Sequence, residues 1–326
     1  MAPLRILVTA TAIELCWLTA IAAVIGLGGI VNGRWDIINV AAPLLLALAV
    51  LGAVSTRATL GPGWFRNLSI GVAAAAAIFN LLLLTPDLLR LATARPAREG
   101  QPYRVVTANL YRDNYIPSHS VARVLARQAD AIMLEEIDGT AAFALGPVYQ
   151  AYRGSTACPA SDVGIWVRTP VLAQGCGLGM PAGAQDTWGR SFAWLQTIGP
   201  DGRPIVLAVV HLGRPYQTLR RQMELDALAK TLGRLPSGQI VLAGDFNTAP
   251  WTFAMLAADK RLSPLKRDSI FIPTYPAALG HKGFGYPVLP IDHIYTGASW
   301  RTVKVAPFAA NGSDHLGVQA DLRLSR

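Results

Sequence analysis

Residues 240–247 read Ile-Val-Leu-Ala-Gly-Asp-Phe-Asn, an apolar strand that breaks at Gly244 and delivers an aspartate and an asparagine at its end. Alone, such a turn is ordinary, because Asp and Asn side chains often bond their own backbone. Working outward, however, the pattern recurs. Tyr103–Leu110 alternates as a strand with Asn109 near its end, and Ala131–Ile137 is an apolar strand running into Glu135-Glu136. Phe192–Thr197 and Ile205–Leu212 flank a Pro200-Asp201-Gly202 turn, and the second carries His211. Asp292-His293 opens Ile291–Tyr295, Val303–Ala306 adds another strand, and Ser313-Asp314-His315 precedes Gly317–Leu322. Helices are expected over Ser118–Gln128, capped by Ser118, and around an apolar face of Leu219, Met223, Ala227, Leu228 and Leu232. Many strands with few interposed helices predict an α/β fold, a four-layer sandwich of two packed mixed β-sheets flanked by helices. Chemistry-bearing residues at strand ends are where a rigid scaffold presents a site.

The region upstream is different. Of 326 residues 52% are apolar and 15% charged, with a net charge of +9. Those figures exclude a disordered or fibrous chain, and the basic balance suits anionic partners. The apolar excess is concentrated: residues 1–100 hold seven arginines, four acids and no histidine, whereas residues 101–326 hold 22 basic and 16 acidic residues and all five histidines. Three stretches, about Ile6–Val31, Ile37–Val54 and Leu68–Leu84, are long enough to cross a bilayer. The sequence therefore predicts a membrane region of three transmembrane helices over 1–95, a linker over 96–101 and a catalytic domain over 102–326. Arg5, Arg57 and Arg66 fall on one side of such a membrane, and Arg34, Arg90, Arg95 and Arg98 on the other. Charges leading into a long domain weigh less in the positive-inside rule, so the expectation is a cell-membrane protein with its catalytic domain extracytoplasmic.

The ordered set Asn, Glu, His, Asp-x-Asn, Asp and Asp-His, each at a strand end, resembles the endonuclease/exonuclease/phosphatase (DNase I-like) superfamily. The resemblance covers about Pro102 to Leu324, and the preceding helices are similar to those of the membrane-tethered YafD/VanJ-type branch. Position by position, it implies Asn109, Glu136 and Asp314 as metal ligands. Asp245 would orient or deprotonate the attacking water, Asn247 would hold the phosphate, His315 would pair with Asp292, and His211 would be the second histidine, with Asp162 a conceivable acidic partner.

The chemistry asks for the same residue types. Hydrolysing a phosphate ester adds water to an anion and expels an alkoxide, so a hard cation on oxygen ligands suits the charge; Mg²⁺ or Mn²⁺ fits better than zinc. An imidazole backed by a carboxylate keeps its proton at neutral pH. The substrate expected is a phosphate ester, lipid-linked among the possibilities. A tethered nuclease acting on DNA or RNA is the alternative, and a non-catalytic membrane scaffold a third reading. Arg190, Arg214, Arg220 and Arg221 are candidate anion contacts, the last two read rather as a solvated helix face. Trp188, Trp251 and Trp300 read as core or substrate walls, and His119, His281 and His293 as structural or surface residues. Cys158 and Cys176 either remain core thiols or bridge, if Val163–Arg168 and Pro170–Gly175 pair antiparallel and bring their distal ends together.

Overall fold

Helices α1 (Ala2–Leu27), α2 (Ala42–Thr59) and α3 (Trp64–Thr93) follow from the apolar stretches of the first hundred residues. Candidate spans run Leu4–Ile30, Trp35–Thr59 and Trp64–Thr93, each long and apolar enough to cross a membrane. Their contacts are made by small residues, Ala12, Cys16, Ala49, Gly52, Ala73 and Ala76, which let helix backbones approach. Bulky side chains such as Leu7, Leu18, Leu44 and Leu82 point away from these contacts.

The computed structural model describes residues 2–156, 158, 161–178, 191–277 and 285–325. They divide into two units, Met1–Thr93 with Ala249–Ala257, and Ala94–Thr248 with Ala258–Arg326. Residues 249–257 thus group with the membrane-length helices, a feature without a signature in hydropathy. Within that unit Asp36 is buried. Its Oδ1 accepts from the backbone N–H of Phe253 (3.0 Å) and its Oδ2 from that of Ala254 (2.9 Å), while Trp251 Nε1 donates to the Val40 carbonyl (3.0 Å).

The second unit holds two six-stranded mixed sheets. One runs β11 (Trp300–Ala309), β12 (Leu316–Leu324), β1 (Gln101–Asn109), β2 (Ala131–Glu135), β4 (Val163–Val167) and β3 (Gly154–Ser155). The other runs β5 (Val171–Cys176), β6 (Phe192–Ile198), β7 (Pro204–His211), β8 (Ile240–Asp245), β10 (Asp292–Thr296) and β9 (Lys266–Arg267). Alternate residues explain the layers. Val105, Met133 and Ile165 face Leu207, Val209, Val241 and Ile294 between the sheets. Val106, Ile132, Leu134 and Trp166 pack outward on Val121 and Val124 of α4 (Pro117–Leu125) and Val148 of α5 (Gly146–Ala151). Covered on both faces, β2 and β4 read as unbroken apolar runs.

Three expectations are corrected. Helix α4 begins at Pro117 without a side-chain cap, so Ser118 lies inside it. Helix α6 (Thr218–Leu232) turns Arg221, Glu224, Leu225, Leu228 and Leu232 inward and leaves Leu219 exposed, because two buried polar partners, not apolarity alone, set its face. Strands β4 and β5 lie in different sheets and do not pair; Cys158 and Cys176 are nevertheless bridged, Cα atoms 5.4 Å apart.

Candidate active site

The parallel pairs at the two sheet centres bring the chemistry to one end. Asn109 lies opposite Glu135 across β1 and β2, His211 opposite Asp245 across β7 and β8, and Asp292 opposite Asp245 across β8 and β10. His315 stands just before β12, which runs antiparallel to β1.

Local backbone requirements fix the turns. At Gly244 φ is +139°, and a Cβ would overlap the Val210 carbonyl, so only glycine fits before Asp245. Asp245 Oδ1 then accepts from Asn247 N–H (2.7 Å), and Phe246 is fully buried. Tyr111, Glu136 and Asn247 all adopt positive φ (+61°, +52° and +50°), a conformation costing roughly 1–2 kcal/mol for a non-glycine residue and one that clusters at functional sites. Glu135 turns into the core, where Thr107 Oγ1 donates to it (2.6 Å); burial raises its pKa well above the carboxylate range. Glu136 instead faces Asn109.

Asp245 Oδ2 is the hub. Asn109 Nδ2 donates to it (3.2 Å) and to Glu136 Oε1 (3.1 Å), and the Nε2 atoms of His211 and His315 stand 3.8 and 3.7 Å from it. Each imidazole is backed by a carboxylate: Asp162 Oδ2 lies 3.0 Å from His211 Nδ1 and Asp292 Oδ2 lies 2.9 Å from His315 Nδ1. Burial opposes charge on both rings, but these partners and Asp245 outweigh it, lifting His211 to about 9 and His315 to about 10. Burial, with Asp292 adding to it, raises Asp245 to about 6 despite the opposing imidazoles. Asp314 is likewise raised, by burial first and by the charge of Glu136. Burial works against Asp162, yet the His211 hydrogen bond holds its pKa below the usual value.

Ser313 ties the end of β1 to the start of β12, donating to the Asn109 carbonyl (2.7 Å) and accepting from His315 N–H (3.0 Å). Asn247 Nδ2 donates to the Leu212 carbonyl (2.9 Å). Of the arginines, Arg221 is buried with Nη1 3.1 Å from Thr248 Oγ1, and Arg220 Nε donates to Glu224 (2.7 Å), so neither is a solvated face. Arg214 stays exposed beside Tyr216. Trp300 is core; Arg190, Trp188 and His281 lie outside the described residues. Sequence reasoning missed Glu224, whose Oε2 accepts from Gly213 N–H (2.7 Å) and so braces the loop after His211.

The arrangement is therefore two charged imidazoles and a cluster of acids at the common end of two mixed sheets. The sequence pattern of the endonuclease/exonuclease/phosphatase family matches residues 106–315. The chain belongs to that family. Endonuclease/exonuclease/phosphatase structures share its fold: a protein described by that family name from Beutenbergia cavernae DSM 12333 (19% identity, TM-score 0.53, 69% of this chain and 72% of that one) and the human Nocturnin catalytic domain with bound sulfate (17%, 0.55, 71% and 100%). Sphingomyelinase C from Streptomyces griseocarneus aligns similarly (16%, 0.51, 68% and 99%). No curated protein matches the chain.

Family members are in general divalent-metal-dependent, and the donor set can be tested for that. Carboxylates outnumber imidazoles here, and burial is the main cause that raises Asp245 and Asp314, so a hard cation would offset the lost solvation of these acids. Asp245, Asp292 and His315 come within 4.8 Å of one another as one conceivable ligand group. In that group His315 Nδ1 is already bonded to Asp292, while Glu136 and Asp314 form a second acidic pair, the charge of Glu136 helping to raise Asp314. Asn109 presents Nδ2, not oxygen, to the carboxylates, while its Oδ1 accepts from Tyr111 N–H (2.9 Å). The acids fit such an ion; Asn109 as oriented serves as a hydrogen-bond donor.

Proposed function

We propose that the protein is a membrane-anchored, Mg²⁺- or Mn²⁺-dependent phosphoesterase whose catalytic unit works outside the cytoplasm. The observation that carries this reading is the convergence of Asp162–His211 and Asp292–His315 on Asp245 Oδ2. A divalent ion held by Glu136 and Asp314 would supply a Lewis acid for the ester oxygens. Asp245, fixed by Asn247 N–H, orients the attacking water and can take its proton. The protonated Nε2 atoms of His211 and His315 donate to nonbridging oxygens as charge develops, and the remaining Asn247 N–H binds the phosphoryl group. Three membrane-length helices support anchoring, and the Cys158–Cys176 bridge supports an oxidising compartment.

The test is phosphate or p-nitrophenol release from generic mono- and diesters by the purified full chain, with and without chelator. Chelator-sensitive release of either product is expected; full activity in chelator removes the metal, and no release from any ester removes the hydrolase.

A further inference from the structure

Large exposed apolar side chains are unevenly distributed over the second unit. Among the described residues they are Tyr149 and Leu172, and six others: Tyr115, Phe143, Tyr216, Leu219, Tyr286 and Val288. The six lie in connections that leave or enter the strand ends bearing the candidate site. Tyr115 follows β1, Phe143 follows β2, Tyr216 and Leu219 follow β7, and Tyr286 and Val288 lie between β9 and β10. By strand direction all four connections emerge where Asn109, Glu136, His211 and Asp292 do. Phe143 is 92% exposed and Leu219 68%. Side chains this large, in water around one rim, mark an interaction surface.

We propose that this rim beds into a lipid surface and that the ester cleaved is the phosphorylated headgroup of a membrane-embedded amphiphile; the second clause rests on the phosphoesterase reading. Three features select lipid. Leu219 and Val288 have no π-face to stack on a base, and among the described residues the rim carries Arg214 and Arg112 but no arginine-rich track of the kind that single strands require. Tyrosines beside arginine, as Arg214 Nη1 beside the Tyr216 hydroxyl (3.4 Å), suit the layer where apolar body and polar tip are both accommodated. Seven residues, 94–100, separate membrane-length α3 from β1, about 25 Å of chain when extended, which favours a lipid partner over a soluble polymer. A headgroup ester would then enter by a small movement out of the lipid plane, its phosphate meeting His211 and His315 while the chains stay among the rim residues.

The experiment uses the full chain in phosphatidylcholine nanodiscs. A fluorophore is placed on F143C or Y286C, with L172C as control, and nitroxide lipids are added. Quenching at 143 and 286 at least twofold above that at 172 is expected; equal quenching at all three overturns the docking surface, whether or not the protein cleaves anything. In parallel, the F143S/L219S/V288S variant is assayed on phosphatidylcholine vesicles carrying phosphatidic acid, sphingomyelin or a prenyl pyrophosphate, and on soluble p-nitrophenyl esters. A loss of tenfold or more on vesicles, with soluble turnover within twofold, supports the proposal. Equal losses on both, a loss confined to single-stranded oligonucleotides, or a parent that cleaves soluble esters but no vesicle probe overturns it. A parent that cleaves no ester at all refutes the phosphoesterase reading and with it the substrate clause, leaving quenching to decide the surface.

Discussion

Asn109 closes β1 in one sheet, Asp245 closes β8 in the other, and the amide Nδ2 of the first donates to Oδ2 of the second over 3.2 Å. The two sheets therefore meet at these ends through that hydrogen bond and through the Asp162–His211 and Asp292–His315 pairs. Whatever shifts one sheet against the other shifts the reacting groups, so the core between them keeps the site in register.

Replacing Glu136 by Gln removes one negative charge from the candidate ion site. Turnover should fall by about 10²-fold or more, and raising Mg²⁺ or Mn²⁺ should recover part of it, because ligand neutralisation weakens binding before it abolishes chemistry. Titration of activity against metal concentration measures this; identical curves for parent and variant refute the assignment.

Asp245→Asn and His315→Ala should each lower turnover about 10²–10⁴-fold, the usual contribution of a positioned acid–base group, while leaving the circular dichroism spectrum unchanged. Asp292→Asn should be milder, since it orients and charges His315 from behind. Near-parental rates for both Asp245→Asn and His315→Ala would remove these residues from the mechanism.

Glu224 acts at one remove. Its carboxylate accepts from Gly213 N–H and Arg220 Nε, holding the loop that follows His211. Glu224→Ala should cut kcat/KM about 10- to 100-fold by loosening that loop, whereas Glu224→Gln, which keeps an acceptor, should recover most of it. Equal loss in both variants would assign Glu224 a merely structural role.

His293, left outside the mechanism, sets an acid limit on stability. Its Nε2 lies 3.0 Å from the Thr248 carbonyl and its Nδ1 3.1 Å from Ser269 Oγ, a pair of partners suited to the neutral ring. Burial, with Arg267 adding to it and Asp259 and Asp292 opposing, lowers its pKa to about 4. Unfolded, it titrates near 6.5, so the unfolded chain gains a proton the folded one refuses. That stability is complete above about pH 6.5 and is lost as pH falls toward 4, by up to about 3 kcal/mol. Melting curves from pH 7 to 4.5 should fall more steeply for the parent than for His293→Gln; parallel curves would refute it.

Fusing reporters after Arg326 reads the side of the membrane. Alkaline phosphatase activity without fluorescence from a cytoplasm-restricted fluorescent protein is expected. The reverse would return intracellular phosphoesters to first place.

The sequence makes visible those residues whose type and place are both constrained. Gly244 tolerates no Cβ, Phe246 fills the core behind the turn, and Asp245 and Asn247 are fixed by strand breakage, so the motif and its strand can be read together. Ser313, Asp314 and His315 are legible for the same reason. Asp162 is not: it lies 49 residues before His211 in an irregular segment, and only the approach of the two sheets joins them. Nor is the inner face of α6, where Arg221 and Glu224 displace Leu219 because buried polar groups with partners can outrank an exposed apolar one. The cysteines, for which the sequence leaves bridge and free thiols both open, are bridged without the hairpin, since β4 and β5 belong to different sheets.

The grouping of residues 249–257 with the helices bears on how the protein should be handled. Shortening the chain to residues 94–326 deletes Asp36 and Val40, and with them three hydrogen-bond acceptor contacts to Trp251, Phe253 and Ala254. The stripped segment starts four positions downstream of Asp245, just beyond Phe246, Asn247 and Thr248. A fragment freed of its helices for convenience would lose the acceptors of Trp251, Phe253 and Ala254 in a segment that directly follows Thr248. The full chain, which keeps Asp36 and Val40 beside residues 251–254, is therefore the form to assay.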